Sequence, residues 1–135
     1  MDAIDEKILK ILRNNARLAF VDIAAQLEIS EGTIRSRVKK LVEDGVIKKF
    51  TITTASKNIK SLIMVSININ INTSDVSKKI RKIDGVETVY EISGDDDIVV
   101  IVNVSDSDEL NRIIESIRGI SHTLSTRTSM ILKEL

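Results

Sequence analysis

An α+β fold in two parts is predicted by two changes of pattern along the 135 residues. Apolar side chains recur at helical spacing up to Gly45, and beyond it β-branched residues alternate at strand spacing. Charge divides the chain near residue 60: the part before it carries 12 Lys or Arg against 8 Asp or Glu, and the part after it 8 against 12. We therefore expect a basic unit at 1–50, a linker at 51–60 and an acidic unit at 61–135.

The first unit is predicted to contain three helices. Apolar residues at i, i+4, i+7 and i+8 indicate a first helix over 2–16, capped by Asp2. The pattern repeats more briefly over 20–27. A third helix is expected between its N-cap Ser30 and Gly45, because Gly commonly follows a helix C-terminus. Its predicted inner face consists of Ile34, Val38, Leu41 and Val42. Two short helices joined by a tight turn are the plan of a winged-type helix-turn-helix.

The second unit is predicted to be a βαββαβ, ferredoxin-like arrangement that follows a short linker strand at 46–52. Its first strand is marked by alternating isoleucines and valines that extend to Ile69 and Ile71. In chain order we expect a strand at 61–72, a helix at 74–83, strands at 86–92 and 98–104, a helix at 107–118 and a strand at 120–132.

Composition limits the chemistry that the chain can perform. There is no cysteine and only one histidine, His122, so thiolate metal sites and most histidine-based chemistry are excluded. No apolar run approaches the roughly 18 residues of a membrane span. We expect a cytoplasmic protein with no cofactor, no metal, no catalytic residue and no membrane partner.

The outward face of the third helix is the candidate DNA reader. Small polar residues occupy its N-terminal end, where base edges approach, and cations follow along the shaft, where phosphates run. Among acidic residues, only Glu43 and Asp44 at the far end are expected to oppose these cations. A solvated helix face with no ligand is the simpler alternative. The predicted DNA-binding residues are Gly32, Thr33, Arg35, Ser36, Arg37, Lys39 and Lys40.

Several segments resemble the leucine-responsive and asparagine-operon (Lrp/AsnC, or feast/famine) family of prokaryotic transcription regulators. The segments are Asp2 to Leu12 with Arg17 after it, DIAAQLEISEGTIRSRVKKLVEDGVIKKF, VYEISGDDDIVVIV and STRTSMIL. The resemblance implies a regulator of double-stranded DNA and not an enzyme. It also implies homodimers formed through the second-unit sheet, assembly into larger oligomers such as octamers, and an amino acid effector bound between second units.

Two positions depart from such readers. Ala19 stands where a Ser or Thr usually caps the second helix, and Glu28 stands in the turn where Gly is common. A missing cap costs about 1 kcal/mol. A non-Gly residue at positive φ costs roughly 1 to 2 kcal/mol. Both changes are expected to affect local stability and to leave the outward face unchanged.

The resemblance also implies an effector pocket built from the turn between the central strands and from hydroxyls of the last strand. Turn amides and hydroxyls suit an α-carboxylate, and an Asp suits an ammonium. This lining favours a polar amino acid such as glutamine over leucine. An ordinary hydrophilic hairpin turn is the alternative, since Asp and Gly are common there. The implied residues are Ser93, Gly94, Asp95, Asp96, Asp97, Ser125, Thr126 and Thr128.

Two other functions are compatible with the same architecture. One is an architectural protein that wraps DNA and needs no effector. The other is a haem-biosynthesis decarboxylase subunit, which needs proton donors and cations that clamp substrate carboxylates. The sole histidine and the acidic second unit argue against the decarboxylase. A response of DNA affinity or assembly size to an amino acid would distinguish a regulator from an architectural protein.

Overall fold

The computed structural model describes residues 1–55 and 57–135. The chain divides into two compact units, Met1–Ala55 and Ser56–Leu135. Within the described ranges, no helix combines the length and apolar character needed to cross a membrane. The first unit contains α1 (Ala3–Asn14), α2 (Phe20–Leu27) and α3 (Glu31–Glu43).

The three helices of the first unit enclose one apolar core. The predicted cap of α1 is confirmed: the Asp2 carboxylate accepts the backbone N–H groups of Ile4 and Asp5. Val42 was assigned to the inner face of α3 by its spacing, but it is exposed. Ile34, Val38 and Leu41 already fill the space between α3 and the other two helices, so Val42, one residue after Leu41, turns outward. The buried core residues are Ile8, Leu12, Ile23, Ala24, Ile34 and Val38.

Both expected weaknesses around α2 are present. Ala19 occupies the N-cap position without a side-chain hydrogen bond, and Glu28 has φ 56° and ψ 40°, in the left-handed region. Ala19→Ser combined with Glu28→Gly should therefore raise the free energy of unfolding of the first unit, by about 2 to 3 kcal/mol. Thermal unfolding of both single variants and the double variant measures this.

The control for these substitutions is Ser30→Ala. Ser30 Oγ accepts the backbone N–H of Thr33 at 3.2 Å, so its removal should lower stability by about 1 kcal/mol. A double variant no more stable than the wild type would show that the turn has relaxed around Glu28.

The predicted linker strand is wrong for the described residues 46–55, which form no strand. The segment leaves α3 at Gly45, whose φ is 71°, and the N–H of Ile47 donates to Leu41 O at 3.0 Å. Phe50 and Ile52 are exposed. A strand needs a neighbouring strand for its hydrogen bonds, and the first unit supplies only helices.

The second unit has the predicted βαββαβ order. Its sheet is antiparallel throughout, with strand order β2-β3-β1-β4. The elements are β1 (Ile59–Ile67), α4 (Thr73–Arg81), β2 (Val86–Glu91), β3 (Ile98–Val104), α5 (Ser107–Arg118) and β4 (Thr123–Met130). The ferredoxin-like prediction is confirmed, although the first and last strands end earlier than their apolar patterns indicate.

β1 ends at Ile67, so the predicted continuation through Ile69 is wrong: that side chain is 93% exposed. The side chain of Asn68 accepts the N–H of Asn70, and the backbone O of Asn68 accepts the N–H of Ile71. These local bonds replace the strand ladder with a turn. Alternation alone cannot reveal this competition.

Each face of the sheet has a different environment. One face packs against α4 and α5, and its core includes Ile63, Val65, Val100 and Val102. The opposite face, called here the open face, carries the alternate residues of the two central strands. Its apolar centre consists of Leu62, Met64, Val99 and Ile101, which are half-buried.

Candidate functional site

Core packing and the N-cap together determine which side of α3 faces outward. Ile34, Val38 and Leu41 anchor the helix in the core, which leaves the opposite side exposed. Ser30 caps the first turn, and its Oγ lies 2.7 Å from Thr33 Oγ1. Predicted DNA-binding residues that the structure leaves exposed are Gly32, Thr33, Arg35, Ser36, Lys39 and Lys40.

The α3 cations have more acidic neighbours than the sequence pattern indicates. Arg35 pairs with Glu31 at 2.6 Å and lies 5.3 Å from the centre of the Phe20 ring. Lys39 approaches Glu43 at 3.8 Å. Both pairs are exposed, and exposed pairs contribute only about 0 to 1 kcal/mol, so phosphate can replace these carboxylates. Because Glu31 pairs with Arg35, the expectation that only Glu43 and Asp44 oppose the cations is wrong.

Arg37 differs from the other α3 cations because two carboxylates hold it. Its Nη1 donates to Asp2 Oδ2 at 2.7 Å, to Asp2 Oδ1 at 2.9 Å and to Asp5 Oδ1 at 2.9 Å. The side chain of Arg37 is 28% exposed and that of Asp5 only 14%. Arg37 thus links α3 to the first turn of α1, a contact between residues far apart in sequence.

The electrostatics of this cluster keep all three groups charged at neutral pH. The backbone N–H of Asp5 and the Arg37 guanidinium lower the pKa of Asp2 to about 2. The backbone N–H of Asp2 and the same guanidinium lower the pKa of Asp5. Because folding lowers these pKa values, the stabilisation is complete above the unfolded pKa near 3.8 and is lost as pH falls through the folded values.

The cluster borders the surface that is predicted to read DNA. Asp2, Asp5 and Arg37 line one concave surface together with predicted base-reading and phosphate-binding residues of α3. Those residues are Gly32, Thr33, Ser36 and Lys40. Among the described residues, no ion pair within 4.0 Å involves Lys40. Lys40 is therefore available to an anionic ligand without first losing a protein partner.

In the second unit, the acidic turn between β2 and β3 has two parts with different roles. Ser93, Gly94 and Asp95 are exposed at its tip. Asp97 accepts the N–H of Ile67 at 2.9 Å, where the pairing of β1 with β4 shifts register. Asp97 therefore completes the end of the sheet, and its replacement would disturb the fold as well as any ligand.

Asp96 connects the turn to the two strands at the same end of the sheet. Its carboxylate accepts the Ser66 hydroxyl at 3.0 Å and Arg127 Nη2 at 2.7 Å, and its side chain is only 12% exposed. Ser66 pairs with Ser125 across β1 and β4. The turn, the end of β1 and the last strand thus converge at one end of the open face.

Thr126 and Thr128 do not join this cluster. They pair with Val65 and Ile63, whose side chains face the helices, so they point to the opposite side of the sheet from Ser125. Thr126 Oγ1 accepts Arg118 Nε of α5 at 3.1 Å. Within one unit, strand alternation therefore separates the two threonines from Ser125 and the acidic turn, and their contribution to an effector site between units stays a prediction.

Arg127 is one of two members of the cluster that sequence reasoning missed, and Ser66 is the other. Arg127 lies between the predicted residues Thr126 and Thr128, and its side chain is 70% exposed. The sequence offered one signal: Arg127 is the only Lys or Arg between Arg118 and Lys133. It also lies two residues after Ser125, so that both side chains are expected on the same face of a strand. Its exposed guanidinium is a suitable partner for a ligand carboxylate.

Comparison with known proteins relates both units to transcription regulators. Residues 1–48 match the family described as winged helix-turn-helix DNA-binding, and residues 61–135 match that described as Lrp/AsnC ligand binding domain. The chain is 45% identical over 134 residues to the HTH-type transcriptional regulator LysM of Sulfurisphaera tokodaii, covering 98% of this chain and 96% of the relative.

Two further similarities also extend over nearly the whole chain. The HTH-type transcriptional regulator FL11 of Pyrococcus furiosus is 34% identical over 137 residues, covering 98% of this chain and 90% of the relative. The structure of E. coli AsnC matches with a TM-score of 0.79 and 27% identity, covering 99% of this chain and 93% of that one. The similarity therefore includes both units and their order.

Proposed function

Because the chain belongs to the Lrp/AsnC family of transcription regulators and is not an enzyme, we propose that α3 reads DNA and that an amino acid bound by the second unit modulates this binding. The observation that carries the DNA role is the exposed face of α3. It combines small polar residues in the first turn with Lys39 and Lys40 further along. We place the protein in the cytoplasm, because its named relatives regulate transcription in prokaryotes.

The proposed DNA contacts of α3 follow from which side chains are exposed and from which carboxylate partners the DNA would have to displace. Gly32, Thr33 and Ser36 approach base edges, because the N-terminal part of a reading helix lies deepest in the major groove. Arg35, Lys39 and Lys40 contact phosphates, since their carboxylate partners are exposed or absent among the described residues. Selection of a binding site from random duplexes, followed by anisotropy titration, tests this role. Equal affinity for selected and random DNA would refute sequence-specific reading.

A homodimer through the open face is the proposed assembly. Leu62, Met64, Val99 and Ile101 form a continuous apolar centre on the side of the sheet that α4 and α5 do not cover. A second copy supplies an identical apolar surface, as a two-fold interface requires. Two readers then address half-sites about one helical turn, roughly 34 Å, apart. Further association into an octamer is a separate step that light scattering can follow.

Placing a charge at the centre of the open face should abolish the dimer. Met64→Lys buries an ammonium group without a partner in the interface, and we expect the dissociation constant of the dimer to rise at least about 100-fold. Sedimentation velocity at micromolar concentration measures this, with thermal unfolding to verify that the second unit remains folded. The control is Asn111→Lys on the exposed side of α5. A Met64→Lys protein that remained dimeric would place the interface elsewhere.

The proposed effector site is the cluster at the end of the open face, completed by a neighbouring subunit. Arg127 offers a guanidinium to the α-carboxylate, and Asp95 offers a carboxylate to the ammonium. Ser93, Gly94 and Ser125 add amide and hydroxyl groups, while Asp96 and Asp97 hold the turn in position. This polar lining favours a side chain such as that of glutamine over leucine.

Calorimetry with glutamine, lysine, arginine, asparagine and leucine tests the effector site. Three or four charge-assisted hydrogen bonds, each contributing about 1.5 to 3 kcal/mol, support micromolar binding of a polar amino acid. Asp95→Ala and Arg127→Gln should each weaken it by about tenfold or more. Asp97→Ala is unsuitable because Asp97 also holds Ile67.

The control for Arg127→Gln is Arg112→Gln, which removes an exposed cation of α5 and should leave binding unchanged. Absence of heat with all five amino acids would contradict this site and favour an architectural protein without an effector. Unchanged affinity in both site variants would place the ligand elsewhere.

A further inference from the structure

We propose that Arg37 is a positioning residue of the DNA-reading helix, which holds Asp2 and Asp5 beside the reading face and offsets part of their negative charge instead of contacting phosphate. The proposal rests on the proposed DNA-binding function and changes the role that the sequence pattern gives to this arginine. In that pattern Arg37 is one of four equivalent cations on α3. The contacts of Arg37 make it different from the other three.

The hydrogen bonds of Arg37 are already directed at protein carboxylates. One guanidinium nitrogen donates to three oxygens of Asp2 and Asp5 at 2.7 to 2.9 Å. A phosphate would have to displace two carboxylates from a half-buried cluster. By contrast, Arg35 has a single carboxylate partner, and both side chains of that pair are exposed. Arg37 is therefore the α3 arginine least available to DNA.

Asp2 and Asp5 line the same concave surface as Gly32, Thr33 and Ser36, the residues proposed to approach the bases. Two uncompensated negative charges at this surface would repel the phosphates of any duplex docked on α3. The guanidinium offsets one of these two charges in the free protein, so that the reading face carries less of this repulsion.

Asp2 is the N-cap of α1, and Asp5 completes its capping box by accepting the N–H of Asp2 at 3.0 Å. Arg37 thus joins the best-defined end of α1 to the middle of α3, across 35 residues of sequence. This connection restrains the direction of α3 relative to α1. Arg37 reaches both carboxylates through a single terminal nitrogen, Nη1.

A double-mutant cycle tests this role, with DNA affinity as the readout. The variants of the full chain are Arg37→Gln, the pair Asp2→Asn and Asp5→Asn, and the triple combination, titrated against the selected duplex. Asn retains the N-cap acceptor at Asp2. We expect Arg37→Gln to lose about tenfold in affinity, the Asn pair to change affinity less than about threefold, and the triple variant to return within about threefold of wild type.

The control is Arg35→Gln, whose loss of affinity should not be restored by the Asn pair. Arg37→Lys provides a second test if Arg37→Gln unfolds: it keeps the charge, but its flexible and more strongly hydrated ammonium holds the two carboxylates less firmly, so it should still weaken binding and be restored by the Asn pair. If the Asn pair raised affinity by the same factor with and without Arg37, the effects would be independent and Arg37 would be a phosphate ligand. A wild-type protein that bound no duplex would instead refute the proposed function itself.

Discussion

Replacing Lys39 and Lys40 by alanine should weaken binding to all duplexes by about 10- to 100-fold. Both side chains are exposed on α3. Within the part of the chain that the structure describes, Lys39 has a carboxylate within 4.0 Å, that of Glu43 at 3.8 Å, and Lys40 has none. Phosphate contacts carry no sequence information, so selected and random DNA should lose affinity to a similar extent. The slope of log affinity against log salt should also flatten by about one unit for each lost contact. Anisotropy titrations between 50 and 200 mM salt measure both effects.

The matched control is Lys7→Ala with Lys10→Ala, which removes the same charge from the exposed side of α1. Because long-range attraction depends on net charge, this control separates a general loss of charge from a loss of specific contacts. Thr33→Ala or Ser36→Ala should instead alter the preferred sequence. If the double alanine variant of α3 kept the wild-type affinity and salt slope, α3 would not dock through this face.

Gly85→Ala should destabilise the second unit by about 2 to 4 kcal/mol, through two effects that add. Gly85 has φ 93°, a conformation that strains any L side chain. A Cβ there would also lie 2.8 Å from Ile113 Cδ1 and 3.3 Å from Val104 Cγ1, both of fully buried residues. Because the core around α5 is close-packed, these side chains cannot move away freely. The melting temperature of the second unit should fall by more than about 10 °C.

The control for Gly85 is Gly94→Ala. Gly94 also has a positive φ, 133°, but a Cβ there would meet no atom within 4 Å. It should therefore carry the backbone strain without the steric overlap, and the difference between the two variants measures the overlap. Equal losses of stability would show that the core around Ile113 accommodates the methyl group.

The elements of this chain were readable from sequence where periodicity and capping agreed. β3 and α5 fall at their predicted positions because each has a clear apolar spacing and a clear beginning. An Asp-rich turn precedes β3, and the N-cap Asp106 precedes α5. The order of strands and helices then fixed the ferredoxin-like prediction. The extension of β1 through Ile69 was wrong because hydrogen bonds made by Asn68 depend on geometry that alternation does not encode.

The site was readable only in part, because its charges belong to pairs that are distant in sequence. Exposure of the α3 face follows from helical spacing, since Ile34 and Val38 determine which side is buried. The capture of Arg37 by Asp2 and Asp5 depends on how α1 packs on α3, and no local pattern indicates it. In the second unit, Thr126 and Ser125 point to opposite faces of the sheet. Which face each one takes depends on the register between β4 and β1.

Entry of α3 into the major groove is tested most directly by DNA cleavage from a tethered iron chelate. The chain has no cysteine, so Ser36→Cys gives one attachment point on the reading face and Asn14→Cys gives a control at the exposed end of α1. With the selected duplex, the chelate at position 36 should cleave at two places about one helical turn apart, within the protected site. The control should cleave neither place. Equal cleavage from both positions, or cleavage from position 36 spread evenly along the duplex, would contradict recognition by α3.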